Sequence, residues 1–568
     1  ERGYRSRDIP KLILENNLFG IDIDDRAAQL AGFALMMLAR NDDRLTFTRD
    51  VKLNILSLQE TANADLNSIW RELEIQDNDQ YQIVQDIWTR FEQAKTFGSL
   101  IDIPVKYEPS LKVLLSKLTE IEQTGSLLQS PAARDLKPII QQACLLAQRY
   151  DAVVANPPYI GGKGMNAEIK MFAKTKFPNT KADLFSMFIE RCLCLGVTDS
   201  SLGFVTPFTW MFISSYEKLR NILFTNQSIT TLVKPSYHCF FESAIVPLVT
   251  FTIQKSIENI RGSYIDLGYL GSAESQPIKL LDAIHSSESD MKYLACKDDF
   301  KQIYGSPIAY DVSKKLRNAF SSYKTLGEIS DARQGLATTD NDRFLRLWSE
   351  VNLTGIGFSF GNIKEAQQSG LKWFPYNKGG AFRKWYGNQE YIVNWENDGQ
   401  EIKENILRKY LYLKTPDFVA KNTSYYFQPS VSWSFISSSS FGVRYYPEGF
   451  IFDVSGSSVF SEDNQRYSVA SFLCSKLASK MMKIMNPTLN FQVGNVVNLP
   501  YKSVDNFFAE TLISNSKLDW DCYEYSWEFQ GSPLISELSN DQNLKSIYVN
   551  WQQQKSSIIT EMQRLEED

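Results

Sequence analysis

The spacing of apolar and polar residues predicts alternating strands and helices in the first half of the chain. Residues 17–24 form a short apolar run that ends in acidic residues, which is typical of a buried strand followed by a turn. Residues 26–40 are rich in alanine and leucine and have helical periodicity, and residues 51–58 predict a second strand. This order of strand, helix and strand indicates an α/β fold.

A long helical segment separates this start from a second group of strands. Residues 60–148 have a charged, mostly helical pattern that is too long for an ordinary crossover, so we interpret them as an inserted helical subdomain. Residues 151–155 have the length and apolar content of a buried parallel strand. The other predicted elements of this half are a helix at residues 183–195 and strands at residues 203–207, 228–233 and 247–253. We therefore expect a mostly parallel sheet with helices on both faces.

The pattern changes beyond about residue 320. Aromatic residues, glycine and serine become more frequent, strands shorten, and helical periodicity mostly disappears until a polar helix at residues 541–567. We predict an α/β domain over residues 1–320, a mixed α+β domain over 321–510, and a C-terminal helical segment over 511–568.

Composition narrows the function classes only slightly. The 568 residues are 43% hydrophobic and 22% charged, as in ordinary globular proteins, and the net charge of −6 neither indicates nor excludes a nucleic-acid binder. Seven scattered cysteines and only two histidines, His238 and His285, argue against a metal site or a histidine-based triad. No apolar run reaches the roughly 20 residues of a membrane span, so we expect a cytoplasmic protein with no membrane partner.

The tetrapeptide Asn156-Pro157-Pro158-Tyr159 directly follows the predicted strand at residues 151–155. Its residue types suit methylation of an aromatic amino group, whose lone pair is delocalised into the ring. The Asn156 side-chain oxygen and the Pro157 carbonyl can each accept one N–H of such a group, because the proline rings hold the backbone rigid. Tyr159 offers a flat face for stacking on a base. Asn-Pro alone is usually a turn, but the complete pattern after a buried strand is far rarer.

This pattern resembles the fourth motif of the gamma class of DNA adenine-N6 methyltransferases. The resemblance implies a Rossmann-like methyltransferase sheet, S-adenosyl-L-methionine as cofactor and double-stranded DNA as substrate. It also implies that the target adenine is flipped out of the duplex, and it makes all four residues of the tetrapeptide catalytic candidates. No metal is implied.

Two further stretches resemble cofactor-binding motifs of this class. Residues 19–24 are similar to the second motif, in which an acid binds the ribose hydroxyls of the cofactor, and we assign Asp22 to that role with Ile23 packing on the cofactor adenine. Asp24 and Asp25 have an alternative role as acids at a helix N-terminus. Residues 181–185 resemble the fifth motif, which makes Asp183 and Phe185 candidates to flank the cofactor.

An aromatic stretch resembles the eighth motif, which stacks on the flipped base. Phe241 is the first choice for this contact and Phe240 the alternative. Taken singly, each of these motifs is more often core packing than a functional site, and it is their order and spacing that favour function.

The glycine-rich first motif of the class is not found before Phe19. The glycines at residues 161–164 follow the catalytic strand, and we interpret them as a loop on the substrate side. The resemblance therefore implies a sheet that is incomplete at the N-terminus. We expect the chain as given to bind the cofactor poorly and to be weak or inactive.

The second half resembles a target-recognition domain, opening at residues 331–344 and closing at residues 490–500. Between them, residues 372–395 place basic side chains among aromatic ones, a composition that suits phosphate and base contacts. The predicted DNA-binding residues are Arg333, Thr338, Lys378, Arg383 and Lys384. The alternative for the basic stretch is a solvated surface loop.

Three stretches, residues 156–166, 333–348 and 382–388, are similar to the methyltransferases of BREX phage-exclusion systems, relative to which the chain is truncated at both ends. This resemblance implies methylation of host DNA as a self mark in phage defence, with other BREX proteins or a phage inhibitor as further partners. Three alternatives remain open. They are the methyltransferase and recognition part of a Type IIG restriction-modification enzyme, a protein-glutamine or RNA methyltransferase, and a catalytically idle DNA-recognition module.

Overall fold

The computed structural model describes residues 3–236, 247–270, 274–286, 288–437, 440–503, 507–536 and 543–567. The chain forms two compact units, Glu1–Asp298 and Asp299–Asp568. The sequence places the boundary near residue 320. In the structure the intervening residues join the second unit, because Ile303 and Val312 are buried in its apolar core.

The first unit alternates strands and helices over most of its length. Its strands are β1 Phe19–Asp22, β2 Asn54–Ser57, β3 Tyr150–Ala155, β4 Gly196–Pro207, β5 Ser228–Lys234, β6 Leu248–Gln254, β7 Gly262–Asp266 and β8 Lys292–Ala295. Its helices are α1 Ile9–Asn16, α2 Asp25–Asp42, α3 Leu66–Leu73, α4 Asn78–Arg90, α5 Ala94–Phe97, α6 Glu108–Thr124, α7 Gln129–Ala147, α8 Ala167–Lys176, α9 Leu184–Leu195, α10 Glu217–Asn226 and α11 Gln276–His285, and α12 Lys297–Lys301 lies at the boundary between the units.

The main sheet of the first unit is mixed, not mostly parallel as the sequence pattern predicts. Its six strands lie in the order β3-β4-β6-β5-β7-β8, and β1 pairs in parallel with β2 in a separate two-stranded sheet. Strands β3 and β4 are parallel, as are β5 and β7, whereas β6 runs antiparallel to both β4 and β5. The prediction of direction is wrong because direction belongs to a pair of strands, and the pattern of one strand does not specify which strand it pairs with.

The helices of the predicted insertion have their own apolar core. Val84 of α4, Leu118 of α6 and Ile140 of α7 are fully buried within it. Helices α6 and α7 lie side by side, with apolar residues at helical spacing on their facing sides. This core lies next to the start of the main sheet, because α7 ends at Ala147 and β3 begins at Tyr150.

The second unit contains shorter strands between helices. Its strands are β9 Asp331–Arg333, β10 Leu345–Leu347, β11 Trp373–Asn377, β12 Tyr391–Asn394, β13 Ser430–Trp433, β14 Val443–Tyr446, β15 Ile451–Phe452 and β16 Ser458–Phe460. Its helices are α13 Lys314–Ser322, α14 Asn341–Phe344, α15 Ile363–Gln368, α16 Glu396–Lys409, α17 Asp463–Cys474, α18 Lys476–Met485, α19 Val493–Val497, α20 Phe507–Asp521, α21 Pro533–Ser536 and α22 Leu544–Glu567. Helices α16, α17 and α18 lie where the sequence pattern shows little helical periodicity.

Two four-stranded sheets organise the second unit, in the orders β10-β12-β11-β15 and β14-β13-β16-β9. Aromatic side chains fill much of the space around them, and Trp395, Trp433 and Tyr446 are among the largest fully buried residues. The high aromatic content of this half therefore serves its core to a large extent. Within the described ranges, no helix combines the length and the hydropathy needed to cross a membrane.

Candidate active site

The Asn156–Tyr159 tetrapeptide leaves the main sheet at the carboxyl end of β3. The Tyr159 hydroxyl lies 2.9 Å from the Asn156 Oδ1 and 3.2 Å from the Val205 carbonyl oxygen of the neighbouring strand β4. A hydroxyl has one proton to donate, and the shorter distance favours the bond to Asn156. Pro157 is buried, whereas Asn156 and Tyr159 are exposed. The tetrapeptide is thus anchored at Pro157 and presents its amide and its aromatic ring to solvent.

The Tyr159 phenol is held in its protonated form. Partial burial raises its pKa above the ordinary value for tyrosine. A tyrosine is protonated at neutral pH in any case, and the raised pKa keeps Tyr159 a donor to Asn156 in more alkaline solution as well. Such a bond fixes the Asn156 side chain and leaves the second lone pair of its oxygen for another donor.

Asp183 is brought against the tetrapeptide by main-chain pairing. The Leu184 amide donates to the Ile160 carbonyl at 3.0 Å, and the Gly162 amide donates to the Ala182 carbonyl at 3.2 Å. A Cβ at Gly161 would lie 3.3 Å from the Asp183 Oδ2, so a larger residue there would crowd the carboxylate. This close approach is a structural reason for glycine at the start of the 161–164 loop.

The Asp183 carboxylate also caps helix α9, accepting a hydrogen bond from the Phe185 amide at 3.3 Å. Burial raises its pKa, and backbone amides that bond the carboxylate oppose that effect. Phe185, its partner in the predicted motif, is 1% exposed, and its ring centroid lies 5.4 Å from that of Tyr216. The structure thus places Asp183 beside the tetrapeptide and the Phe185 ring in the core below it.

The acids that follow β1 have three different environments. The Asp22 Oδ1 accepts a hydrogen bond from the Asp24 amide at 2.8 Å, and Asp22 is exposed at the end of the strand. Asp24 is the N-cap of α2, accepting from the Arg26 and Ala27 amides, which is the alternative that the sequence left open for it. Asp25 pairs with Lys95 at 2.8 Å, and hydrogen bonds from Lys95, Ser57 and Gln59 lower its pKa.

Strands β1 and β3 begin close to each other, and the residues that follow them pack in the same region of the first unit. The rings of Phe19 and Tyr150, the first residues of the two strands, have centroids 5.5 Å apart. At the other end, Ile23 lies against Gly98 in a short 3-10 turn, and Leu100 of that turn is buried with Leu184 of α9. Asp22 and Ile23 therefore belong to the same end of the unit as the tetrapeptide and Asp183.

One contact at this end of the first unit, made by Lys95, is not indicated by any sequence motif. The Lys95 ammonium donates to the Ile23 carbonyl at 2.9 Å in addition to its pair with Asp25. It thereby holds the turn between β1 and α2 from a position 70 residues away in the chain. Phe240 and Phe241, the predicted base-stacking residues, lie outside the described residues.

Comparisons with known proteins identify the family of the chain. The model of the Eco57I restriction-modification methylase family matches residues 16–241. The adenine-specific methyltransferase BrxX of Escherichia coli O9:H4 (strain HS) is 39% identical over 97% of this chain and 46% of its own length. The adenine-specific methyltransferase PglX of Lacticaseibacillus casei (strain Zhang) is 32% identical over 100% of this chain and 48% of its own length. The chain belongs to the family of these two relatives.

The chain spans about half the length of the curated relatives it matches. Among solved structures, the Type IIL restriction-modification enzyme MmeI in complex with DNA matches with a TM-score of 0.45 and 11% identity. That match covers 88% of this chain and 73% of the other.

The DNA-binding residues predicted for this BrxX- and PglX-related chain all lie in the second unit. Arg333 is partly exposed, with its guanidinium 2.5 Å from Asp331 and stacked over the Tyr425 ring at 5.4 Å. Thr338 is 2% exposed, and its hydroxyl donates to the Asn341 Oδ1. Of these two residues, Arg333 alone faces solvent to a substantial extent.

The predicted residues of the basic stretch form internal contacts. Lys378 pairs at 2.8 Å with Asp453, which is 1% exposed. Lys384 pairs at 2.9 Å with Glu566 of α22. The Arg383 guanidinium stacks on Trp520 of α20 at 4.7 Å. These cations connect the stretch to distant parts of the second unit.

Proposed function

We propose that the chain forms the methyltransferase and target-recognition parts of a site-specific DNA adenine-N6 methyltransferase. Its relatives are named adenine-specific methyltransferases, and the matching family model is a restriction-modification methylase. The single observation that carries the proposal is the hydrogen bond from Tyr159 to Asn156 at the end of β3. It holds the amide acceptor in place at an exposed strand end.

The proposed chemistry uses two acceptors on the target amino group. The Asn156 Oδ1 accepts one N6–H and the Pro157 carbonyl oxygen accepts the other, which draws the nitrogen lone pair out of conjugation with the ring. S-adenosyl-L-methionine, when bound, supplies the electrophilic methyl group. As the N6–carbon bond forms and the carbon–sulfur bond breaks, one N6 proton is lost to water. Asn156 and Pro157 stabilise the positive charge that develops on N6 before that loss.

The residues at the end of β1 fit the ribose of such a cofactor. Asp22 is exposed, and an aspartate there can accept hydrogen bonds from two adjacent hydroxyls, as it does for dinucleotide ribose. Ile23, also exposed, supplies apolar contact for the cofactor adenine. Asp183 forms a β-bridge with Gly161, two residues beyond the tetrapeptide.

The target adenine reaches the tetrapeptide only when it is flipped out of the duplex. The exposed Tyr159 ring offers one stacking face, and Phe241, with Phe240 as the alternative, supplies the other.

In the cell we propose a role in BREX phage defence and host self-marking, with other BREX proteins or a phage inhibitor as partners. A Type IIG restriction-modification role and a catalytically idle recognition module are the competing proposals.

The test measures methyl transfer directly. The chain, extended to the length of its relatives, is incubated with unmethylated DNA and labelled S-adenosyl-L-methionine, and the nucleosides are separated by mass spectrometry. Asn156→Ala is the inactive control, and Asn221→Ala, on α10 of the same unit, is the matched control. We expect N6-methyladenine with the parent and with Asn221→Ala, and a large loss of it with Asn156→Ala.

Other outcomes separate the alternatives. DNA binding without label in any nucleoside supports the recognition module. Cleavage of the unmethylated DNA, with protection once it is methylated, supports the Type IIG role. Label in RNA or protein contradicts the assignment of DNA as substrate.

A further inference from the structure

Residues 408–421 form a basic and apolar projection on the second unit, which we call the 408–421 segment. It comprises the last two residues of α16 and the loop that follows. It carries four basic residues, Arg408, Lys409, Lys414 and Lys421, and one acid, Asp417, in a chain whose net charge is −6. None of these residues belongs to the methyltransferase motifs or to the predicted DNA-binding residues described above.

The segment exposes large apolar side chains beside these charges. Leu411 is 88% exposed, Tyr412 76% and Phe418 68%. Leu411 and Tyr412 are the two most exposed large hydrophobic residues among the described part of the second unit. Isolated exposed apolar residues are common, but two adjacent ones at a loop tip between cations mark a contact surface.

The segment is anchored, so its exposure is not that of a free loop end. Ala420 is buried and bridges Leu336, and the Ala337 amide donates to the Val419 carbonyl at 3.1 Å. At the other end, the Lys409 ammonium donates to the Thr339 carbonyl at 2.9 Å. Both ends are thus fixed to residues 334–339, while the tip at Leu411 and Tyr412 projects.

This anchoring places the 408–421 segment beside the stretch where a recognition domain is predicted to open. Lys421 donates to the Gln334 side chain at 3.3 Å, next to the partly exposed Arg333. Arg408 and Lys409 lie in the last helical turn, where cations also offset the helix dipole. That effect does not account for Lys414, Leu411 or Tyr412, which lie beyond the helix.

We propose that the 408–421 segment contacts duplex DNA, with Lys414 near a phosphate and Leu411 and Tyr412 pressed into a groove. The inference rests on the proposed function, which makes DNA the substrate. Charge complementarity selects the occupant, because a basic loop in an acidic protein suits the phosphate backbone. Apolar side chains among basic ones are also the means by which proteins wedge into DNA grooves.

The experiment measures binding of the 568-residue chain to a fluorescently labelled duplex of random sequence over a range of salt concentrations. Lys414→Ala is compared with Lys480→Ala, an exposed lysine on α18 that loses the same charge. We expect Lys414→Ala to reduce the slope of log affinity against log salt by about 1. We expect Lys480→Ala to leave the slope unchanged.

The apolar contact is tested with a second pair of variants. Tyr412→Ala is compared with Tyr304→Ala, another exposed tyrosine of the second unit. We expect Tyr412→Ala to weaken binding about tenfold without changing the salt slope, because it removes an uncharged, apolar contact in the groove. Tyr304→Ala is expected to bind like the parent.

Equal effects within each pair, or parent-like binding by all four variants, overturn the DNA contact. Those results leave the proposed function standing if the parent binds DNA and the extended chain methylates it. Absence of duplex binding by the parent overturns the inference, whereas the methylation assay of the extended chain tests the proposed function separately. Loss of binding confined to Lys414→Ala and Tyr412→Ala supports the inference.

Discussion

Two regions are conspicuous by their residue types, the tetrapeptide at residues 156–159 and the basic stretch at residues 372–395. They differ in how far along the chain their hydrogen-bond and ion-pair partners lie. Tyr159 bonds Asn156, three residues away. Lys378 pairs with Asp453, 75 residues away, and Lys384 with Glu566, 182 residues away. A motif whose hydrogen-bond partners are its own neighbours has the same contacts in the folded protein as the sequence suggests. A basic motif can instead be paired in the folded protein with an acid from any part of the chain.

This difference changes what each cation of the stretch is expected to do. A lysine bonded to a buried carboxylate must break that bond before it can neutralise a phosphate. The 408–421 segment carries four basic residues and one acid, Asp417, so it is the better candidate for phosphate contact. Four substitutions test the comparison, beginning with the largest expected effect.

Asn156→Ala is expected to reduce methyl transfer about 100- to 1000-fold, the usual effect of removing one preorganised hydrogen-bonding group from a transition state. Initial rates on unmethylated DNA measure it, and circular dichroism should be unchanged because Asn156 is exposed. A loss below about threefold would show that the Asn156 amide does not stabilise the transition state.

Lys378→Ala is expected to lower the free energy of unfolding by about 2 kcal/mol, because it leaves the buried Asp453 carboxylate without its cation. The Tyr376 hydroxyl still donates to Asp453 at 2.6 Å, which limits the loss. Urea denaturation measures the change. Unchanged stability together with a lower salt slope for DNA binding would show that Lys378 contacts phosphate. That result would contradict its role as the partner of the buried Asp453 carboxylate.

Tyr159→Phe is expected to reduce methyl transfer roughly tenfold while leaving the aromatic face in place. The loss corresponds to about 1.4 kcal/mol, at the upper end of the net contribution of one hydrogen bond, here the bond that positions the Asn156 amide. The rate is measured at saturating DNA, so that a change in positioning appears in kcat. An effect on KM alone would show that the hydroxyl contributes to substrate binding and does not position Asn156 in the transition state.

Lys384→Ala is expected to have the smallest effect, a loss of stability below about 1 kcal/mol, because its pair with Glu566 is partly exposed. A double-mutant cycle with Glu566→Gln isolates the pair. Coupling near zero together with weaker DNA binding by Lys384→Ala would return this lysine to the DNA-contacting set.

The sequence determined the parts of the protein that depend on near neighbours. The apolar run of β3, the tetrapeptide after it, and the helix that begins beyond Asp183 were all predictable, because strand and helix periodicity and capping are local properties. The α/β character of the first unit follows from the same signals. So does the alternative for Asp24, whose capping bonds are to residues two and three positions ahead.

The tertiary structure decided everything that depends on distant partners. It set the antiparallel direction of β6, since pleated side chains alternate in the same way in either orientation. It paired Lys378 with Asp453, and it left Leu411 and Tyr412 exposed at a tip that the sequence did not distinguish from ordinary apolar positions. Burial and charge pairing are properties of the folded arrangement, so residue type alone does not specify them.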